Sequence, residues 1–435
     1  MGTPLSFRII LMFFLPLIFM TELHQISHSV VHAFLARLTN PTLVLAAFSI
    51  AYAFNTTISS VNQVSIQGGI SFIADRASFW QIFRFFAVAC IILFITIESV
   101  ALTPLGDILF GQWMGASDAV VKQARITSAI MGLWTFPILI RNITYALVMV
   151  HRRTILITNA TVIRLASLGI FLFIYPYWLE GAAVGGAALV SCMTVEVVYM
   201  VIVSRPLLAA LERKKANPPS YFEIWRFSWP LMITQSSESG VPLAINFFLG
   251  HLSSPDLALA GFGVVIGLVR AFLSPLRNLI QTAQTLVRSS EELKVMFQFT
   301  LKTVLFFVAV VIVLFYSPLR GVILGNVMGL TPELSRYATP GVKLTFLVAI
   351  FWGYSALLRG ILSAMRRTDI IAFTVLLRLV MVVMVCSVTQ FFPDLNGTII
   401  GVLAFSGAFA SESVFLVLRL RHHYKTSIHL FPHLD

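Results

Sequence analysis

Charge is what this 435-residue chain has least of. Only 11% of its residues are Asp, Glu, Lys or Arg, against 58% hydrophobic, and the mean hydropathy is +0.90. One soluble core cannot hide that much apolar surface, so a water-soluble globule is excluded. Cysteine is nearly absent as well. Cys90, Cys192 and Cys386 stand singly in apolar stretches, without CxxC or metal-ligand spacing, which argues against disulfides and structural zinc. No glycine-rich GxxxxGK phosphate loop occurs, so ATP-driven pumping has no support, and neither a metal nor a cofactor is expected. Paired catalytic carboxylates on an aqueous loop are also lacking, and the loops are too short for much chemistry. An enzyme is not expected.

What the chain has instead is apolar runs of about 20 residues or more, the length that crosses about 30 Å of hydrocarbon. Twelve are predicted, at 8–37, 43–72, 82–103, 126–150, 155–178, 182–204, 227–252, 257–287, 297–318, 338–364, 369–392 and 397–419. The first runs well past the 7–15 residues of a signal-peptide core and reads as a retained span. The net charge of +12 falls on alternate loops, at Arg76 and Arg84, Arg152 and Arg153, Arg205 with Arg213 to Lys215, Arg288 and Lys294, Arg366 and Arg367, and Arg419 to Lys425. By the positive-inside rule both termini face the cytoplasm, and a multi-pass protein of the plasma membrane is expected. The basic excess thus encodes topology and contact with anionic headgroups, not nucleic-acid binding.

HRRTILITNATVIRL, His151 to Leu165, returns as MRRTDIIAFTVLLRL, Met365 to Leu379, at an offset of 214 residues. The same offset links Phe13, Pro16 and Leu17 to Phe227, Pro230 and Leu231. It also links Ser60 and Gln67 to Ser274 and Gln281. Near the end it becomes 216, joining Gly181, Glu196 and Arg205 to Gly397, Glu412 and Arg421. Each repeat holds six spans, an even number, so the copies are parallel. The expected fold is therefore all-α, an integral membrane protein of twelve transmembrane helices in two parallel-repeat six-helix bundles. The bundles are assigned to 1–211 and 221–425, with a cytoplasmic linker at 212–220 and a cytoplasmic tail at 426–435. Such a repeat predicts a substrate site near the midplane between bundles, and alternating access by rocking.

Charged groups at the bilayer centre cost about 2.5–3.5 kcal/mol on insertion scales, so each needs a partner or water. Arg164 and Arg378 lie about 15 Å deep, and Glu196 and Glu412 about 14 Å. They are expected to form a structural pair within each bundle, Arg164 with Glu196 and Arg378 with Glu412. In span eight, Arg270, Ser274, Arg277, Gln281, Gln284 and Arg288 share one stripe at 100° per residue, which predicts cavity lining except at Arg288, more simply a snorkelling group. The span-two counterparts include Ser60, Gln63 and Gln67, polar but uncharged. Because Arg270 and Arg277 are not duplicated, they point to an anionic cargo, which the planar guanidinium fork suits. Gln235 and Asn246 of span seven join the substrate set. Glu22, His24, His28 and His32 of span one, with Glu238, are coupling or gating candidates, since histidine titrates near neutral pH. Arg141, Asn142, Lys343 and Arg359 are further candidates.

FSWPL at Phe227 to Leu231, LLRGILSAMRRT at Leu357 to Thr368, VLLRL at Val375 to Leu379 and NGTIIGVLAFSGAFASES at Asn396 to Ser413 resemble the progressive ankylosis family. That family belongs to the multidrug/oligosaccharidyl-lipid/polysaccharide (MOP) flippase superfamily. The matched positions are Arg366, Arg367, Thr368, Arg378, Glu412 and Ser413. The resemblance implies a MATE-like fold and export of pyrophosphate, nucleotide triphosphate or citrate-like carboxylates, in agreement with the anionic cargo. This chain departs in lacking a long polar C-terminal tail, and its cavity residues in spans one, seven and eight do not match. The expected function is an alternating-access exporter of small anions, acting as a monomer in the bilayer with possible H+ or Na+ coupling. The alternatives are a cation-coupled multidrug antiporter of the same fold and a lipid-linked oligosaccharide flippase.

Overall fold

The computed structural model describes residues 5–114, 116–213 and 218–426, with Thr42, Ser239, Asp256 and 422–426 by backbone alone. Gly115, Lys214 and Lys215, and the tail from 427 on, lie outside the described residues. Among the described residues every regular element is helical. Eleven helices are long and apolar enough to cross a membrane. They are Phe7–Leu35, Leu43–Phe72, Arg76–Leu102, Asp118–Val150, Ile155–Tyr177, Ala182–Ala210, Leu257–Leu286, Ser290–Tyr316, Pro332–Ala364, Thr368–Gln390 and Gly397–Arg421. The predicted seventh span is the 29-residue helix Tyr221–Leu249. It is not among the eleven, because Gln235, Glu238, Asn246 and two prolines dilute its apolar content.

Five expected spans begin six or more residues earlier than hydropathy placed them, at Arg76, Asp118, Tyr221, Ser290 and Pro332. The fourth helix starts at Asp118 and the tenth at Pro332. Their first turns carry Asp118 and Glu333, which favour a helix N-terminus but lower hydropathy. Elsewhere the outward faces are greasy: Val88, Ile92 and Ile95 on the third helix are each more than half exposed. In a bilayer such surface needs no cover, since the solvent is hydrocarbon.

By compactness the chain divides into a first unit, Leu15–Ser228, and a second unit, Met1–Phe14 with Trp229–Asp435. The opening turns of the Phe7–Leu35 helix thus count with the second unit, where Phe7 and Phe14 pack on the ring of Phe299. The first unit's core gathers Leu35, Phe48, Phe110, Ile97 and Leu168.

Local devices recur in both units at the 214-residue offset. The arginine doublets are helix caps: Arg152 and Arg366 have φ of 57° and 55°, the left-handed position that usually takes glycine. Behind them Arg153 N–H donates to Val148 O at 3.0 Å and Arg367 N–H to Leu362 O at 2.8 Å. These are the six-to-one bonds of a Schellman cap. Buried Thr154 and Thr368 then lead into the next helices. A short π-helix comes after the third and ninth spans, at Asp107–Trp113 and Val322–Val327.

The second and eighth spans are each broken by a 3-10 turn, Ser60–Gln63 and Ser274–Asn278. The continuous stripe expected along span eight does not survive that break. The turn winds at about three residues per turn in place of 3.6 and rotates the helix Leu279–Leu286 beyond it; Pro275 sits in its first positions, yet the equivalent turn Ser60–Gln63 forms without proline. Arg270 is exposed, Ser274 and Gln284 are buried, and Arg288 lies beyond the helix end.

Helix contact is closest where small residues meet. A Cβ on Gly69 would lie 2.4 Å from Ala146 Cβ, and one on Gly360 would lie 2.9 Å from Ala283 Cβ. These four positions are repeat equivalents, with glycine on the second span in one unit and on the tenth in the other. Small residues at such crossings let backbones approach, the main packing device where lipid removes the hydrophobic drive.

Candidate functional site

Each unit buries a glutamate on its last helix and surrounds it with donors. In the first unit Glu196, fully buried, accepts a hydrogen bond from the Tyr145 hydroxyl and stands 3.6 Å from the Arg164 guanidinium. Arg164 also reaches Ser27 Oγ at 3.4 Å. Arg141 lies one helical turn before Tyr145. Its guanidinium donates to Asn142 Oδ1 at 3.2 Å and sits over the Tyr145 ring, 5.6 Å from its centroid. Asn142 is held in turn by donating to Asn62 O at 2.8 Å, a carbonyl in the 3-10 turn of the second span that also accepts from Ser65 Oγ. Among the described residues no carboxylate lies within 4.0 Å of Arg141.

On the first helix His24 and His28, one turn apart, share a hydrogen bond of 3.2 Å between their Nε2 atoms. The Tyr52 hydroxyl meets His28 Nε2 at 2.7 Å. A cavity of ≈160 Å³ opens among these groups, lined by Arg141, Arg164, His24, His28, Tyr52 and Gln63, with apolar Ile138, Leu189 and Met193 behind.

In the second unit Glu412, also fully buried, accepts from Ser355 Oγ at 2.8 Å and Thr374 Oγ1 at 2.9 Å. Arg359 and Arg378 stand 3.7 and 3.8 Å away. Glu238 bridges two arginines, Arg359 at 2.9 Å and Arg277 at 3.2 Å. Arg277 also donates to Gln235 Oε1 at 3.1 Å. Trp352, Phe405 and Phe409 pack on one another, edge-on or tilted, beside this network with centroids 5.1 to 6.3 Å apart, and Arg378 lies over the Phe409 ring.

The residues singled out from the sequence therefore separate into groups. Ser60, Gln63, His24 and His28 meet at the first unit's cavity. Arg277, Gln235 and Glu238 meet in the second unit, in one chain of contacts. His32 packs edge-on against Phe48. Half-buried Glu22, Gln67 and Asn246, exposed Arg270, and Ser274, Gln281 and Gln284 on the broken eighth span neither line that cavity nor enter those ion pairs. Sequence reasoning ranked Arg141 and Arg359 low and passed over Tyr145 altogether. A signal existed: Tyr145 and Arg359 are equivalent positions of the repeat, and each donates toward a carboxylate.

No protein-family model matches the chain, and no curated protein matches it. Solved structures do. A MOP superfamily transporter from Pyrococcus furiosus, described as having a binding pocket of reverse polarity, superposes with a TM-score of 0.79 at 15% identity, over 97% of each chain. A eukaryotic MATE transporter gives 0.75 at 16% identity over 95% of each. The chain has the fold of the MATE transporters. A second MATE transporter, solved in complex with Rb+, gives 0.70 at 16% identity, over 95% of this chain and 94% of the other.

Proposed function

We propose that this chain is an alternating-access membrane transporter for small organic or phosphorylated anions. One observation carries the reading: in the first unit two buried guanidiniums, Arg141 and Arg164, line one cavity, and Glu196 beside Arg164 is the one carboxylate among the described residues that meets either of them. In the second unit the buried Arg359 and Arg378 are matched by Glu238 and Glu412, and the part-exposed Arg277 adds a third cation. Buried cations without matching carboxylates are costly, so such a surplus favours anions over the cations of a multidrug antiporter. The MATE-like fold supports transport as the activity. Pyrophosphate, nucleotide triphosphate and citrate are the cargoes suggested by the progressive ankylosis resemblance at Leu357 to Thr368 and Asn396 to Ser413. Arg277 with Gln235, and the first unit's cavity residues, are the proposed contacts. H+ or Na+ coupling through Glu22 or the histidines, cytoplasmic termini and a monomeric state belong to the same proposal.

The test is uptake into proteoliposomes. Labelled pyrophosphate or citrate should accumulate, and Arg277→Ala should reduce it at least tenfold in a folded protein. Uptake of cationic dyes without anion uptake would overturn the reading in favour of the multidrug antiporter.

A further inference from the structure

We propose that the ≈160 Å³ cavity inside the first unit is a binding site for one small oxyanion, a phosphate or carboxylate group held by Arg141 and Arg164. Glu238 is then its built-in counterpart in the second unit. The proposal deepens the anion-transport reading and rests on it for the site's role.

The first argument is charge. Arg141 and Arg164 are only 7% and 4% exposed, both line the cavity, and Glu196 is the one carboxylate that meets either of them among the described residues. One guanidinium's charge is left over in a buried place. A buried cation without a counter-charge is costly, and an oxyanion in the cavity that both arginines line answers that deficit.

The second argument is the internal repeat, which supplies a reference with the site filled. His24 is the equivalent of Glu238, and Tyr145 the equivalent of Arg359. In the second unit the Glu238 carboxylate lies between two guanidiniums at 2.9 and 3.2 Å. To an arginine fork, a side-chain carboxylate and a cargo carboxylate are the same group. The first unit has Gln63 and Tyr145 where Arg277 and Arg359 grip that carboxylate, and histidine where the carboxylate itself would be; its cavity wall carries two arginines at other positions, Arg141 and Arg164.

Volume divides the two units in the same way. Ile138, Leu189 and Met193 of the cavity wall correspond to Trp352, Phe405 and Phe409, whose rings pack edge-on or tilted against one another. Tyr52 and Trp134 run the other way, opposite Ile266 and Val348, and remain as walls. At about 30 Å³ per water, the cavity has room for about five waters or one phosphate-sized group. Drug-sized ligands need roughly 300–1,000 Å³ and do not fit.

The experiment titrates the full chain in detergent with orthophosphate, pyrophosphate and citrate, and separately with phosphatidic acid in mixed micelles. At least one soluble anion should bind at a single site and raise Tm. Affinity should fall at least tenfold in Arg141→Gln and in His24→Glu. His24→Glu installs the tethered carboxylate, so its anion-free Tm should equal or exceed that of the parent while the anion-induced shift disappears. A misfolded variant would lower the anion-free Tm instead, and Leu189→Phe, which fills the cavity, then supplies the second reading with the same tenfold loss. Affinity that survives both His24→Glu and Leu189→Phe overturns the site, as does a parent that binds no phosphate or carboxylate from any source. Saturation by phosphatidic acid alone upholds the oxyanion chemistry but gives the site to a lipid headgroup and removes its support for soluble-anion transport. Soluble-anion binding without uptake into proteoliposomes upholds the site and overturns the transport reading.

Discussion

The first and second units solve the same problem, a glutamate buried in an apolar bundle, with different resources. Around Glu196 the donors are one tyrosine hydroxyl and one arginine at 3.6 Å. Around Glu412 there are two hydroxyls and two arginines, and a second carboxylate, Glu238, ties that network onward to Arg277. The first arrangement leaves a cavity with surplus positive charge, while the second is closed by its own carboxylate and by a cluster of aromatic rings packed edge-on or tilted. Duplication kept the scaffold in both halves. Divergence at a few wall positions made one half open and the other full.

The widest test of this contrast is removal of each buried carboxylate. Glu412→Gln strands Arg378, takes away one of the two carboxylates that meet Arg359, and should destabilise the protein by about 3–5 kcal/mol. Glu196→Gln should cost less, about 2–3 kcal/mol, because its amide still accepts from Tyr145 and only Arg164 loses a counter-charge. Thermal unfolding of the two variants in detergent should rank them in that order, and the reverse ranking would break the comparison.

Packing offers the next test. Trp352→Ala should cost about 3–5 kcal/mol by hollowing the filled unit. Its inverse, Ile138→Trp, should cost only about 1 kcal/mol, since the ring has a cavity to enter. Chemical or thermal melts would measure both, and equal losses would mean the two interiors do not differ as described.

A smaller effect probes the helix crossings. Gly69→Ala should destabilise by about 1–3 kcal/mol through the clash with Ala146. Adding Ala146→Gly should recover most of that loss, because the pair then matches the Ala283 and Gly360 arrangement of the second unit. A double-mutant cycle in Tm that shows simple additivity would sink this reading.

The smallest effect is at the duplicated caps. Arg152→Gly and Arg366→Gly should each stabilise by about 1 kcal/mol by relieving a left-handed conformation that disfavours a side chain. Equal gains in both would sharpen the statement that the two caps are the same device.

Much of this architecture is legible in the chain as written. The spans come from hydropathy, the two-fold organisation from the 214-residue offset, and the pairing of Arg164 with Glu196 and Arg378 with Glu412 from matched depth. The stripe on span eight is not legible in its true form, because a 100° periodicity presumes unbroken α-helix and the 3-10 turn Ser274–Asn278 breaks it. Arg141 and Tyr145 escape notice because an isolated arginine or tyrosine in an apolar run carries no sign of what it faces.

Composition and periodicity are enough to make this chain a bundle of membrane helices, since length, apolar content and loop charge act along the sequence one segment at a time. Whether a given arginine is answered by a carboxylate depends on which helices touch and how each is rotated. That is why His24 and Glu238, equivalent in the repeat and unremarked as a pair in the sequence, turn out to mark the open unit and the closed one. Electrostatic neutrality inside an apolar interior is a property of neighbours in space, and folding chooses them.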